Sequence, residues 1–221
     1  MGNENCAYCQ EGELVEKFGI KITELGASKV YLFKEQSHRG RVIVASKHHV
    51  SEMIDLDRRE RQAFMDDVAK VATALRKLFH PKKINYGAYG DTGCHLHFHL
   101  VPKYAEDAFE WGGTFAMDPK RTYLSETEYV ELVASIRAEL CVGEGTFDLR
   151  KALEEMRREI KADGKVDFLE ATFLLKAMAP MEGSGVTTDA FIRALREVRA
   201  DGVITADESE KILKLLDGLL V

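Results

Sequence analysis

Apolar residues alternate with polar ones along Gly93-Cys94-His95-Leu96-His97-Phe98-His99-Leu100-Val101-Pro102. A period of two marks a strand with two unlike faces, so Leu96, Phe98 and Leu100 are expected to point into a core while the three histidines share the opposite face. Further strands are expected at Lys29 to Phe33, in the apolar run Arg41-Val-Ile-Val-Ala-Ser46, and from Ile84 onward, with the polar stretch Lys34 to Gly40 as a connection. Between Asp57 and Phe79 the spacing becomes helical. Phe64, Val68, Val71, Leu75, Leu78 and Phe79 recur on one face, Asp57 and Glu60 form a capping box at the start, and Pro81 closes the end. Ser125-Glu-Thr-Glu128 is a second capping box and predicts a helix to about Leu140. Cys141 to Gly145, with two glycines, reads as a domain boundary, and helical periodicity runs on from about residue 146.

Composition narrows the class without naming it. The chain has 221 residues, 45% of them hydrophobic, which is enough for one large domain or two small ones with real cores. A net charge of −6 offers no general attraction for polyanions, so nucleic acid is not an expected partner. No stretch approaches the roughly 18 apolar residues of a membrane-spanning helix, and no basic start precedes an apolar run at the N-terminus. A cytoplasmic protein without membrane association is expected. Its four cysteines, Cys6, Cys9, Cys94 and Cys141, then read as thiols or metal ligands instead of a disulfide frame.

The histidine face carries the chemistry. On a regular strand the three rings stand about 6.6 Å apart from one to the next. Groups that all titrate near neutrality are unfavourable to line up unless something binds there, although a plain solvent-facing polar surface is the alternative. Neutral imidazole is both a nucleophile and a fair leaving group, which suits it to splitting one displacement into two easier steps. The attacking nitrogen must lack its proton, so the other must donate to a fixed acceptor such as a backbone carbonyl. His99, two positions past His97, is expected on the same face, where it can donate a hydrogen bond to a group that gathers charge.

His95 to Val101 resembles the His-φ-His-φ-His-φ-φ signature of the histidine triad family, and the resemblance runs from about Cys6 to about Leu140. It implies an α+β fold, an antiparallel sheet with flanking helices, and a dimer joined edge to edge. It also implies that His97, the middle histidine, takes a nucleoside monophosphate from a phosphoanhydride or phosphoramidate before water releases it. Lys47-His48-His49 resembles the family's Pro-Lys-x-His turn, with Ser46 in place of proline. Asn85 resembles the family's Asn-x-Gly asparagine and is a candidate for orienting phosphate or histidines, with a simple turn role as the alternative. Thr92 keeps the hydroxyl of the family's glycine-bearing turn and is a second candidate for phosphate, whereas Asp91 stands where an amide is common and is left out of the site. Two other positions depart from the family pattern: Phe33-Lys34-Glu35 lacks the aspartate that reaches ribose, and Arg41 replaces a histidine often found after the glycine.

Cys6-Ala-Tyr-Cys9 by its spacing alone is half a metal site, a redox pair or chance. Some members of this superfamily hold a structural zinc with two N-terminal cysteines, the turn histidine and the first triad histidine. By that resemblance the ligands are Cys6, Cys9, His49 and His95, a set that suits closed tetrahedral zinc. Phe109-Glu-Trp111-Gly-Gly-Thr-Phe115 holds the one tryptophan, and covers either a substrate or a dimer interface.

The C-terminal part repeats itself. Asp201-Gly202 follows Asp163-Gly164 by 38 positions, and at the same offset Glu170 pairs with Glu208, Leu174 with Ile212 and Leu175 with Leu213. Two related helical hairpins are expected. Asp-Gly followed by a glutamate is also the latter half of a calcium loop, but Lys161 and Arg199 stand at ligand positions and oppose a cation. Asp167 with Glu170 and Thr205 with Glu208 account for the glutamates as capping boxes, so no calcium is expected. This part weakly resembles tellurite-resistance-B-type helical domains.

The expected organisation is therefore a histidine triad domain over residues 1–143 and a small all-α accessory domain over 146–221. The expected function is a nucleotide hydrolase or nucleotidyl transferase, with a nucleotide-binding sensor or a zinc-stabilised scaffold of little turnover as the alternatives.

Overall fold

In the computed structural model, residues 5–90, 93–105, 121–142 and 149–220 are described. The chain divides into two compact units, Met1–Tyr129 and Val130–Val221. The first is built on a five-stranded antiparallel sheet: β1 (Gly19–Glu24), β2 (Ser28–Phe33), β3 (Val42–Ser46), β4 (Lys83–Gly87) and β5 (His97–Lys103). Across the sheet the order is β1-β2-β3-β5-β4, so β5, the histidine strand, is paired on both sides.

Three further elements cover the sheet, α1 (Ala7–Gln10), α2 (Glu13–Glu16) and α3 (Arg58–Phe79). Because side chains alternate along a strand, the ladder sorts them into two faces. Register pairs Val44 with Phe98 and Val42 with Leu100, and this apolar face meets α3 through buried Phe64, Val68, Val71 and Leu75. The Phe64 and Phe98 rings lie 6.0 Å apart. Burying a side chain such as Phe64 contributes roughly 2–3 kcal/mol, and six buried positions along α3 make it the chief support of that face. Asp57 caps the helix in a reciprocal box with Glu60, and His80 ends it in a left-handed conformation just before Pro81.

The opposite face carries His97 and His99, paired in register with Ala45 and Ile43. Part of it is covered by the N-terminal segment: Tyr8 and Val15 pack with Tyr31, Ile43 and Ala45 in a small buried cluster, with Cys6, Phe18 and Phe33 at its margin. Both faces of the central strands are thus buried, which is why β3 reads as an unbroken apolar run and shows no alternation.

Gly40 turns the chain into β3 at φ 85°, and a Cβ built there would sit 2.9 Å from the Phe79 ring. Only glycine meets both conditions. The connection before it is stapled by Gln36, whose amide Nε2 donates to the Arg41 carbonyl at 3.0 Å and whose Oε1 accepts from Gly40 N–H at 2.8 Å.

The helix α4 (Glu126–Val142) contains the division between the units. Its first turn belongs to the sheet unit, where Tyr129 Oη donates to the Lys34 carbonyl at 2.6 Å. In the second unit α5 (Leu149–Asp163), α6 (Phe168–Met178), α7 (Val186–Asp201) and α8 (Ala206–Leu219) enclose Met156, Ile160, Phe173, Leu174, Phe191, Leu195, Ile212 and Leu216. The repeat is visible in the caps. Asp167 with Glu170 and Thr205 with Glu208 form reciprocal capping boxes at the starts of α6 and α8, and Gly164 and Gly202 have φ of 74° and 72°. Among the described residues, no helix is long and apolar enough to cross a membrane.

Candidate active site and metal centre

The regular ladder of β5 starts at His97, and the residues before it, bent at His95, are tied to the turn after β3. Ser46 N–H donates to the Leu96 carbonyl at 3.0 Å and Leu96 N–H to the Val50 carbonyl at 2.7 Å. This clamp holds His95 beside the turn that carries His49. His95 is 1% exposed, and its Nε2 hydrogen-bonds the Ser46 carbonyl at 2.8 Å. A carbonyl accepts only, so that nitrogen bears the proton and Nδ1 presents its lone pair on the other side of the ring.

That lone pair faces the N-terminal cysteines. His95 Nδ1 lies 3.3 Å from Cys6 Sγ, 3.6 Å from Cys9 Sγ and 3.1 Å from His49 Nδ1, and Cys9 Sγ lies 3.3 Å from His49 Nδ1. All four donor atoms fall within 4.8 Å of one another. Ligands at about 2.0–2.3 Å from a tetrahedral centre stand roughly 3.3–3.8 Å apart, so the cluster has the dimensions to close around one metal ion. Burial raises the Cys6 thiol, an effect that a divalent cation bound there would outweigh by holding a thiolate. Neighbouring His48 turns the other way, 3.4 Å from Glu60, beside a cleft of about 380 Å³ lined by Ser46, Lys47, His48, Asp57 and Phe64. His97 and His99 do not line that cleft.

His97 lies one strand step further on. Its Nδ1 donates to the carbonyl of His95 at 2.7 Å, which leaves Nε2 without a proton. Burial keeps the ring below the ordinary imidazole range, opposed in part by that carbonyl. The Tyr8 ring, between the two cysteines in sequence, lies 5.1 Å from both His95 and His97 and holds their planes from one side. Lys29 donates to the Tyr8 carbonyl at 3.1 Å and pairs with Glu11, fastening the N-terminal segment over the sheet.

His99 has its ring centroid 5.2 Å from that of His97. Its Nδ1 meets Arg41 Nη2 at 3.2 Å, and Phe33 stands edge-on to it at 5.5 Å. Burial, then the Arg41 charge and His97, push its pKa down to about 3. The Arg41 guanidinium stacks over Phe33 at 4.3 Å and approaches the buried Glu35 carboxylate at 3.8 Å. Glu35 Oε1 accepts from Ser37 N–H at 2.8 Å and Thr122 N–H at 3.2 Å, so this carboxylate is turned inward under Arg41.

Asn85, half-buried on β4, pairs with Val101, two register positions from Gly87, which stands opposite His99. Thr92 and the Trp111 stretch lie outside the described residues. Tyr8, Arg41 and Glu35 were not among the site residues expected from the sequence. Arg41 stood out as a departure from the family pattern, while Tyr8 had only its position between the two cysteines to mark it.

A family model for the HIT domain matches residues 22–106. This part of the chain is a histidine triad domain. Solved histidine triad proteins share its fold. One from Bradyrhizobium japonicum superposes with a TM-score of 0.54 at 22% identity, over 58% of this chain and 96% of its own. One from Marinobacter aquaeolei VT8 gives 0.54 at 20% identity, over 60% and 96%. A third, from Sinorhizobium meliloti 1021, gives 0.52 at 25% identity, over 57% and 92%. No curated protein has a significant sequence match to the chain. The four-residue Cys/His cluster of this triad domain is suited to hold a metal.

Proposed function

We propose that the triad domain is a nucleotide hydrolase or nucleotidyl transferase acting through a covalent nucleotidyl-His97 intermediate. Membership of the HIT domain family supports the nucleotide reading. The observation that carries the mechanism is the 2.7 Å bond from His97 Nδ1 to the His95 carbonyl, which frees Nε2 for attack and keeps the ring aimed. In the first step His97 Nε2 forms a bond to the α-phosphorus, and the bond from phosphorus to the leaving group breaks with its electron pair. In the second step water bonds to phosphorus, the P–N pair returns to His97, and one water proton passes to solvent. His99 donates a hydrogen bond to a non-bridging phosphate oxygen in both steps, where the oxygens gather charge. Asn85 and Thr92 are proposed as further phosphate contacts.

The metal is proposed to be zinc, held by Cys6, Cys9, His49 and His95. Two thiolates and two imidazoles at tetrahedral spacing are the donor set of a structural zinc site, with no position left open for substrate. Bound there, it supplies cross-linking of the N-terminal segment to the turn after β3 and to the start of the histidine strand.

The test is to incubate the protein with a dinucleoside polyphosphate or a nucleoside phosphoramidate and quench in base. An acid-labile nucleotide adduct on wild type that is missing in His97→Ala supports the reading. Nucleotide binding without adduct or turnover would instead favour a sensor.

A further inference from the structure

Arg41 stands against a ring nitrogen of the last triad histidine. The guanidinium has five donors and no acceptor, so its 3.2 Å contact with His99 Nδ1 requires that nitrogen to be an acceptor. A neutral His99 with its hydrogen on Nε2 satisfies the contact, and an imidazolium does not. The arginine cannot easily swing away. It is 5% exposed, stacked on Phe33, and bordered by Glu35, which is 3% exposed and anchored by two backbone N–H groups. The charged and titratable groups that face this ring include Arg41 at the entrance to β3 and His97 on its own strand, with Glu35 beyond Arg41. From β4, Gly87 stands opposite it in the ladder and brings no side chain.

The geometry points to Arg41, braced by Glu35, as a positioning residue that locks His99 in the neutral Nε2–H form, so that the site favours leaving groups that depart as anions. This rests on the His97 mechanism above. When His97 Nε2 bonds to phosphorus in a phosphoanhydride, the bridging oxygen takes the electron pair and leaves as phosphate or a nucleotide. That oxygen needs no proton, and the Nε2–H of His99 stabilises charge without giving its hydrogen away. In a phosphoramidate the departing nitrogen must be protonated as the P–N bond breaks. Neutral His99 can supply that proton only by becoming imidazolate, far outside the range of ordinary acid–base catalysis. The low pKa of His99 agrees with this, and burial lowers Arg41 only to about 10, so it stays charged at neutral pH.

The experiment uses the full chain and has two independent readouts. Long-range proton–nitrogen spectra, with His99 assigned by its loss in His99→Gln, report its tautomer and titration without any substrate. Ratios of kcat/KM for diadenosine tetraphosphate over adenosine phosphoramidate report leaving-group preference. Arg41→Met strands the buried Glu35 carboxylate, so the Glu35→Gln/Arg41→Met double variant, which removes both charges, is measured beside it. We expect wild-type His99 to stay neutral and Nε2-protonated from pH 5 to 8, and to titrate within that range in the double variant. The kcat/KM ratio is expected to move toward the phosphoramidate by about tenfold or more, the lower end of what a general acid contributes. A wild-type His99 that is Nδ1-protonated or titrates normally, or an unchanged ratio in the double variant, would overturn the assignment. If wild type turns over neither substrate, the hydrolase reading fails together with the leaving-group preference, while the spectra still decide the role of Arg41.

Discussion

His95 and His97 are joined through one carbonyl: the ring of His95 faces Cys6, Cys9 and His49 with Nδ1, and its backbone oxygen accepts the Nδ1–H of His97 at 2.7 Å. One residue thus belongs to two sites. Whatever fixes the ring of His95 also fixes the acceptor that sets the tautomer of its neighbour.

The most direct expectation concerns the nucleophile. His97→Ala should lower kcat/KM by at least about a thousandfold, since removal of an attacking group abolishes the covalent route. The ring is only partly buried and its loss should leave the melting temperature within a few degrees of wild type. The measurement is turnover with a dinucleoside polyphosphate beside a thermal melt. Activity within tenfold of wild type would defeat the assignment.

Metal should be stoichiometric and structural. Protein purified under metal-replete conditions should carry about one zinc per chain by elemental analysis, and Cys9→Ser should lose most of it. Removal should lower the melting temperature by at least about 5 °C, a loss of ~2 kcal/mol for a domain of this size. An equal melt before and after stripping would show that the cluster does not stabilise the fold through metal.

Part of the acid sensitivity should trace to His99, beside His95 and His97, whose rings burial also holds low. In the unfolded chain its imidazole takes a proton near the ordinary value of 6.5, whereas in the fold it resists until about pH 3. Unfolding therefore binds a proton in that window. The stability that His99 contributes is whole above about pH 6.5 and falls by up to roughly 1.4 kcal/mol per pH unit below it, down to about pH 3. Denaturant midpoints recorded from pH 8 to 4 should fall less steeply in His99→Gln than in wild type. Parallel curves for the two proteins would place the origin of the acid sensitivity in other groups.

Gly40→Ala should destabilise the triad domain by about 1–3 kcal/mol, because the added methyl meets the Phe79 ring at 2.9 Å on a backbone with φ of 85°. Since Arg41 follows directly, the same substitution should also disturb the His99 environment in nuclear magnetic resonance spectra. A variant as stable as wild type, with unchanged His99 signals, would be the contrary outcome.

Local patterns accounted for the parts of this protein that depend on neighbours in sequence. The alternation of His95, His97 and His99 with Leu96, Phe98 and Leu100 specifies a two-faced strand because backbone pleating makes side-chain direction a matter of parity. Asp57 with Glu60, Asp167 with Glu170 and Thr205 with Glu208 announced helix starts for the same reason, each box being completed within four residues. Contacts across many residues were another matter. Cys6 is 89 positions from His95 and Arg41 is 58 from His99; the packing of the N-terminal segment over the sheet brings the first pair together, and the pairing of β3 with β5 the second. The cysteines entered the site by family resemblance, whereas Tyr8 and the Glu35–Arg41–His99 chain had no resemblance to carry them. Strand identity is written in short-range periodicity; which rings, charges and carbonyls meet is decided by register between strands, and a shift of one residue there would turn every histidine to the opposite face.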